Sequence, residues 1–398
     1  MLPLSSPFSS LMKFAQFFMR RSLYFDIMKT LHFNTLKKIY SLLKKYIYII
    51  SYKLISSITK KDKIVLYSSK NDKFGNISAL ANKFSEMGIE FLHIYHEQFK
   101  RYSFSSLIFL SRARVLVIDA SSPAARMKLH RNTCLIHCWH ACGAYKKIGF
   151  DARRKGYNDI SEEIRIKRIH RGIFWFVCTS QETAKVYSKA FRLPEEKMLV
   201  LGSPRLDVFL KKKNYPEPSM YTILYAPTFR TQNKNVRYLP PLPDVKILRQ
   251  ELASQLGENI CFAFRGHPTV PVHDDLKGWE DWSNIPQQEA LCRTSVLITD
   301  YSSVFFDFLP LHRPIIFYVP DFKEYLSHER DLYFSPYDAF PETTCSNMNS
   351  LIKIIALCRH MKVDYGDIWE KYLSACDGNA TERLCNFIIN IFQQEKIK

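Results

Sequence analysis

The chain has 398 residues, enough for two or three domains that each bury a core of their own. With 46% hydrophobic and 24% charged residues, the composition is that of a folded protein and excludes a largely disordered chain. The net charge of +19, from 57 Lys and Arg against 38 Asp and Glu, implies an anionic partner: nucleic acid, anionic lipid or a phosphate-rich substrate.

Cysteine usage and hydropathy narrow the cellular setting. The 10 cysteines follow no small-scaffold spacing and no secretory signal is evident, so we expect reduced thiols in a cytoplasmic protein. No stretch reaches the roughly 18 uninterrupted apolar residues that a spanning helix needs.

Residues 1–60 form a basic, aromatic-rich segment that predicts amphipathic helices. Apolar and basic side chains alternate there, namely Phe14, Phe17, Phe18, Leu23, Phe25, Leu31, Phe33 and Leu36 with Lys13, Arg20, Arg21, Lys29, Lys37 and Lys38. Helices of this kind lie in the interface of anionic membranes, which predicts peripheral membrane association. The alternative is a helical hairpin packed on the body with its basic face solvated.

Strand–helix alternation follows and predicts an α/β fold with parallel sheets. A first domain, residues 61–212, has expected helices at 76–87 and around 107–110 and expected strands at 63–68, 91–95, 114–119, 135–139, 174–178 and 198–201. Residues 211–218 resemble a linker. A second domain, residues 219–398, has expected strands at 222–226, 260–264, 296–299 and 314–318 and a helical C-terminus from about residue 348.

The two similar halves predict two facing Rossmann-like domains with a cleft between them. In such sheets ligands bind beyond the carboxyl ends of the strands. Residues 297–308 fit this pattern, because a buried strand breaks at Thr299-Asp300 and a helix restarts after Ser302-Ser303. Free N–H groups at a helix start and two hydroxyls suit a phosphate. An ordinary helix cap is the alternative.

His140 follows a strand and precedes a small-residue turn, so it is placed to act as a general base near neutral pH. Lys146 and Lys147 would add positive charge, although a packed histidine with surface lysines remains the alternative. A metal site is not expected, although the same stretch carries Cys134, His137, Cys138, His140 and Cys142. On an extended strand Cys134 and Cys138 would lie roughly 13 Å apart. A zinc ion binds each thiolate sulfur at about 2.3 Å, so these two cysteines could not share one ion.

Three further strand ends carry cationic or polar groups. Arg265 and His267 leave a buried strand beside Gly266 and suit a diphosphate. The turn after residue 226 adds Thr228 and Arg230, and the last strand of the first half is followed by Gly202-Ser203-Pro204-Arg205-Leu206-Asp207. Each alone is compatible with an ordinary turn, but together they predict one anion-binding cleft.

The ordered set of motifs resembles the CDP-glycerol glycerophosphotransferase family of teichoic acid and capsule synthesis, over about residues 63–334. The motifs that carry the resemblance are Trp139-His140, Ser203–Asp207, Tyr225–Arg230, Arg265-Gly266-His267-Pro268, Thr299–Ser303 and Arg313–Tyr318. Many members follow the Trp-His pair with Gly-Thr-Pro, whereas this chain has Ala141-Cys142-Gly143. This departure leaves the acceptor and the polyol open.

The resemblance implies a GT-B fold, a peripheral position on the cytoplasmic face of the cell membrane, and polyol phosphate transfer from CDP-glycerol or CDP-ribitol to a lipid-linked or growing glycan. It implies that His140 is the base, that Arg265 and His267 contact the donor pyrophosphate, and that Ser302 and Ser303 lie beside them. Weaker implied contacts to donor or acceptor are Arg205, Asp207, Arg230 and Asp300, and the strand-end motifs themselves add Thr228 and Lys146 as candidate contacts. No cofactor is expected, and since no acidic cluster suggests a bound metal, neither is a metal.

Other functions remain open at this stage. A GT-B glycosyltransferase that uses a nucleotide sugar would share the fold and the diphosphate site. The basic composition also permits a nucleic-acid-binding protein, although no aromatic-and-basic RNA signature is evident and no nucleic-acid partner is expected. A membrane-docked scaffold with a degenerate site is a third alternative, against which the retained histidines and serines argue.

Overall fold

A computed structural model describes the chain at residues 33–68, 74–95, 103–120, 128–152, 160, 163–164, 166–167, 172–211, 218–232, 236–257, 259–267, 270–272 and 276–394. The part of the basic segment before residue 33 lies outside the described residues. Within these ranges, no helix combines the length and the apolar composition needed to cross a bilayer.

The strands and helices alternate as predicted. The strands are β1 (Lys63–Ser68), β2 (Phe91–Tyr95), β3 (Ala113–Ile118), β4 (Cys134–His137), β5 (Trp175–Cys178), β6 (Met198–Val200), β7 (Tyr221–Ala226), β8 (Arg230–Gln232), β9 (Val236–Tyr238), β10 (Ile260–Phe264), β11 (Glu280–Asp281), β12 (Val296–Thr299), β13 (Ile315–Tyr318) and β14 (Thr344–Cys345). The helices are α1 (Phe33–Ile58), α2 (Asn76–Glu86), α3 (Phe104–Arg112), α4 (Gln181–Phe191), α5 (Asp207–Leu210), α6 (Val245–Leu256), α7 (Gln287–Cys292), α8 (Val304–Phe308), α9 (Phe322–His328), α10 (Pro336–Ala339), α11 (Met348–Cys358), α12 (Gly366–Leu373) and α13 (Ala380–Gln393).

Two parallel sheets organise the described residues. The first has the order β2-β1-β3-β4-β5-β6 and the second the order β11-β10-β7-β12-β13-β14. The second order reverses between β7 and β12, and ligands of open α/β sheets bind at such a switch point. The α/β class and the parallel sheets are therefore confirmed. The antiparallel hairpin β8–β9 was not predicted.

The domain boundary differs from the prediction at the C-terminus. Helix α13 packs on α2 and β3 of the first domain instead of the second sheet. Its apolar face shares a buried cluster with Ile64 and Leu66 of β1, and Arg114 donates a 2.8 Å hydrogen bond to the carbonyl of Phe392. The chain after α11 therefore returns to the first domain, because α13 covers an apolar face of the first sheet.

Helix α1 has two different faces. Tyr48, Tyr52 and Ile55 are buried against the first domain, where the Tyr48 hydroxyl lies 3.0 Å from the hydroxyl of Ser106. The other face exposes a stripe of apolar side chains, which are 47–69% exposed: Ile39, Leu42, Leu43, Tyr46, Ile50, Leu54 and Ile58. One face thus anchors the helix while the other meets solvent.

Candidate active site

The carboxyl ends of the two sheets face each other, and side chains from each contact the other. Arg205, after β6, forms an ion pair with Asp307 of α8. The Tyr145 hydroxyl, in the segment after β4, donates to the carbonyl of Asp300 after β12 at 3.2 Å. All of the motifs predicted from strand ends therefore lie on the facing edges of the two domains.

A strained turn presents His140 at the end of β4. Trp139 adopts a positive φ of 57°, which is uncommon for a bulky residue and ends the strand earlier than predicted. Its carbonyl accepts a 2.9 Å hydrogen bond from the Asn76 side chain, and its ring lies 4.4 Å from that of His140. The carbonyl of His140 accepts a 2.7 Å hydrogen bond from Arg205. The backbone is thus held on both sides while the His140 side chain is exposed.

The segment after His140 crosses into the second domain. Gly143 has a φ of +60°, and a Cβ there would lie 2.3 Å from the Phe306 ring of α8. Tyr145 is buried, with its ring 5.1 Å from that of Phe305 and 4.9 Å from that of Phe334. Lys147 donates its backbone N–H to the carbonyl of Asp331 at 2.9 Å. Close packing therefore fixes the turn that carries His140 against α8.

The predicted helix after the two serines is present as α8. Ser303 occupies its N-cap position without a side-chain capping bond, and the Ser302 hydroxyl accepts from the N–H of Val304 at 3.3 Å. Both serines are half-buried. Asp307 lies one turn further along, 1% exposed, and accepts a 2.7 Å hydrogen bond from Gln287 in addition to its pair with Arg205.

Arg265 and His267 both follow β10 and are half-buried. One guanidinium nitrogen of Arg265 donates to the carbonyl of Trp282 at 2.8 Å and also to that of Ile285. The His267 ring lies edge-on to Phe229 at 4.8 Å, next to the turn after β7. The structure therefore places both residues beside the switch point between β7 and β12, and it gives Arg265 a role in holding the loop that leads to α7.

Lys146, in the segment after β4 of the first domain, contacts the turn after β7 of the second domain. Its ammonium group donates to the Thr228 hydroxyl at 3.1 Å. Burial lowers the pKa of Lys146 to about 7, which the Asp300 carboxylate partly opposes. The side chain is therefore close to the boundary between its charged and neutral forms at neutral pH.

Arg230 and Asp300 form a buried ionic network that orders the turn after β7. Arg230 donates to Asp300 at 2.9 Å and makes two bonds to Asp321, at 2.6 and 3.0 Å. Although burial opposes its charged form, the two carboxylates raise the pKa of Arg230 above its usual value. One Asp300 oxygen also accepts the Thr228 N–H at 2.8 Å. These contacts direct both charges at protein groups, so their evident role is to shape the turn.

Asp207 also contacts protein groups. Its two oxygens accept the backbone N–H groups of Ala380 and Thr381 at 3.2 and 2.7 Å, at the start of α13. Burial raises the pKa of this carboxyl. The structure thus gives Asp207 a helix-capping role, and the contact with donor or acceptor that the resemblance implied stays a prediction.

Three cysteines near His140, namely Cys134, Cys138 and Cys142, are buried. Burial raises the pKa of Cys134 and of Cys142 to about 12. Cys134 and Cys138 belong to the apolar cluster between the first sheet and α13.

Three residues that the motifs did not single out organise this site. Asn76 binds the Trp139 carbonyl and accepts from the backbone N–H of Arg205 at 3.0 Å, which joins two strand-end turns. Asp307 pairs with Arg205, and Tyr145 inserts into the second domain. A lone carboxylate in an otherwise apolar helix, Val304–Phe308, was the signal available for Asp307.

Comparison with known proteins agrees with this geometry. The teichoic acid ribitol-phosphate primase of Bacillus spizizenii is 27% identical over 85% of this chain and 94% of its own length. The teichoic acid glycerol-phosphate primase of Bacillus subtilis is 30% identical over 66% of this chain and 69% of its own length. A structure of the wall teichoic acid polymerase TagF superposes with a TM-score of 0.74 at 22% identity, covering 90% of this chain and 96% of that one, so the fold is shared.

The family profile decides the assignment. The profile of CDP-glycerol:poly(glycerophosphate) glycerophosphotransferase matches residues 48–390, which include both facing sheet edges, helix α12 and most of helix α13. The resemblance drawn from the strand-end motifs is thereby confirmed. The chain belongs to the CDP-glycerol:poly(glycerophosphate) glycerophosphotransferase family.

Proposed function

We propose that this protein transfers glycerol phosphate or ribitol phosphate from the corresponding CDP-polyol to a hydroxyl of a lipid-linked or growing cell-surface glycan, and releases CMP. Family membership supports the reaction class, and the names of the relatives include both polyols. The observation that carries the proposal is the meeting of an exposed His140 on one sheet edge with α8 and the switch point between β7 and β12 on the other.

In this mechanism His140 removes the proton of the acceptor hydroxyl. The acceptor oxygen attacks the phosphorus that carries the polyol, a new P–O bond forms, and the P–O bond to CMP breaks with its electron pair on CMP. A positioned base contributes about 10²–10⁴-fold to such a step. The exposed position of the His140 side chain allows a large acceptor to reach it.

Charge stabilisation falls to groups of the second domain. Arg265, His267, Ser302 and Ser303 would contact the donor pyrophosphate, and Lys146 and Thr228 lie at the same edge. Phosphoryl transfer depends mainly on positioning and on stabilising charge. The buried pairs of Arg230 support this site by fixing the turn after β7.

We also propose that α1 rests on an anionic membrane surface at the cytoplasmic face, where a lipid-linked acceptor would be found. The apolar stripe of α1 is exposed from Ile39 to Ile58, and Lys44, Lys45 and Lys53 lie on the same helix. Apolar area and cationic charge together favour binding to an anionic interface. Leu54→Glu should weaken sedimentation with phosphatidylglycerol vesicles, whereas Leu357→Glu, at a residue 64% exposed elsewhere, should not.

The reaction is tested by measuring CMP or UDP release with CDP-glycerol, CDP-ribitol and UDP-sugars and a lipid-linked acceptor analogue. We expect CMP from a CDP-polyol, and a loss of about 10²–10⁴-fold in His140→Ala with donor binding retained. His360→Ala replaces an exposed histidine after α11 and is the matched control. UDP release instead would reassign the chain to the sugar transferases, and near-normal turnover of His140→Ala would disprove the base.

A further inference from the structure

We infer that the Arg205–Asp307 ion pair is a positioning device that sets His140 relative to Ser302 and Ser303 at the start of α8 and, through Gln287 and the loop before α7, relative to Arg265. This inference rests on the proposed function. It assigns to Arg205 a role through His140 and α8, in place of direct contact with donor or acceptor, and it adds Asp307, which no motif had marked.

Arg205 contacts both the turn that carries His140 and the Asp307 carboxylate. One guanidinium nitrogen donates to the His140 carbonyl at 2.7 Å, and the other contacts both carboxylate oxygens of Asp307. The backbone N–H of Arg205 binds the side chain of Asn76, which also holds the carbonyl of Trp139. Arg205 therefore spans from the base-bearing turn of one domain to a helix of the other.

Asp307 is the common partner of Arg205 and Gln287. This residue lies in α8, whose N-cap is Ser303, and it also accepts a 2.7 Å hydrogen bond from Gln287 at the start of α7. The loop before Gln287 is held by Arg265 through the carbonyl of Trp282. The helix whose start we assign to donor binding and the helix that follows the loop held by Arg265 thus meet on one carboxylate that is 1% exposed.

This arrangement is more specific than an ion pair that only holds two domains together. Apolar contacts at Gly143 and Tyr145 already join the domains, and a buried ion pair is weak evidence for stability. Arg205 donates to the carbonyl and to the carboxylate from two different nitrogens that the guanidinium holds in one plane, whereas the single ammonium nitrogen of a lysine does not keep this fixed geometry. The His140 carbonyl and the Asp307 carboxylate are therefore held in a fixed arrangement by one guanidinium group.

The test uses Arg205→Lys, Asp307→Asn and the double variant. The control is Asp62→Asn, which breaks the bidentate Arg112–Asp62 pair next to β1. We expect kcat for CMP release to fall about 10–100-fold in each single variant, as for a misplaced catalytic group. The donor dissociation constant from calorimetry should change less than about threefold, because no donor contact is removed. The double variant should be no slower than the slower single variant, because the pair acts as a unit.

Several outcomes overturn the inference. If Asp307→Asn does not fold, Arg205→Lys carries the test, because it keeps a cation beside Asp307. Arg205→Lys turnover equal to that of Asp62→Asn would overturn the inference and leave the proposed function intact. The inference would also be overturned if the losses of the two single variants multiplied in the double variant. Lost donor binding with an unchanged kcat would overturn it as well, and both results would leave the proposed function intact. A wild-type chain that releases no CMP from any donor would overturn the proposed function, and this inference with it.

Discussion

Replacing Gly143 by alanine tests how tightly the His140 turn is packed against α8. The new Cβ would lie 2.3 Å from the Phe306 ring, so the ring or the turn must move. Inserting a methyl group into a packed contact costs about 1–3 kcal/mol. The left-handed φ of +60° adds about 1–2 kcal/mol for a residue with a side chain. We expect a total loss of roughly 2–5 kcal/mol in the free energy of unfolding.

Gly88 supplies the matched control for this substitution. Its φ is +66°, close to that of Gly143, but a Cβ there would meet nothing within 4 Å. Gly88→Ala should therefore show only the backbone cost of about 1–2 kcal/mol. The difference of about 1–3 kcal/mol between the two variants isolates the contact with Phe306.

Denaturant unfolding and CMP release on the same samples are the assays. Because Phe306 lies in α8 between Ser303 and Asp307, a displaced ring should also lower turnover in Gly143→Ala, whereas Gly88→Ala should retain it. Equal destabilisation of the two variants, with equal activity, would refute the packing argument.

Two further predictions concern single side chains. Burial lowers the pKa of Lys146 from 10.5 to about 7, so between these values the unfolded chain holds a proton that the folded chain has released, and stability rises with pH. The unfolding free energy should gain about 1.5 kcal/mol from pH 7 to 8.5, a gain that Lys146→Met loses and Lys147→Met keeps. Asp207→Ala should lower the free energy of unfolding by about 1–2 kcal/mol, because the N–H groups of Ala380 and Thr381 lose their cap. The KM of this variant for the donor should stay unchanged. A raised KM in fully folded Asp207→Ala would show that Asp207 contacts the donor.

Local sequence patterns were sufficient to predict the strands, their parallel arrangement and the polar motifs at their ends. The buried runs at 63–68 and 296–299 match β1 and β12 residue for residue. The same patterns could not separate ligand-binding side chains from those that bind protein groups. Arg230 and Asp207 have the charge of a substrate contact, but their partners Asp321 and Thr381 lie far away in sequence. Such pairings depend on tertiary packing, which one-dimensional spacing does not encode.

The strand before His140 illustrates a second limit. Apolar residues continue through Trp139, so the pattern predicts a strand to that point, whereas β4 ends at His137. The positive φ of Trp139 is stabilised by contacts such as the hydrogen bond from Asn76 to its carbonyl, 63 positions away. The packing of α13 on the first domain was not predicted for a similar reason. Its apolar face carries no local sequence pattern that indicates which sheet it covers.

The return of α13 to the first domain has a consequence for biosynthesis. Leu384, Cys385 and Ile388 complete an apolar core whose other side is formed by β1, β3 and α2 near the beginning of the chain. On the ribosome those early strands emerge long before the helix that covers them. The first domain therefore cannot finish folding as an independent unit ahead of the second, and this face of its sheet stays exposed until α13 has been synthesised.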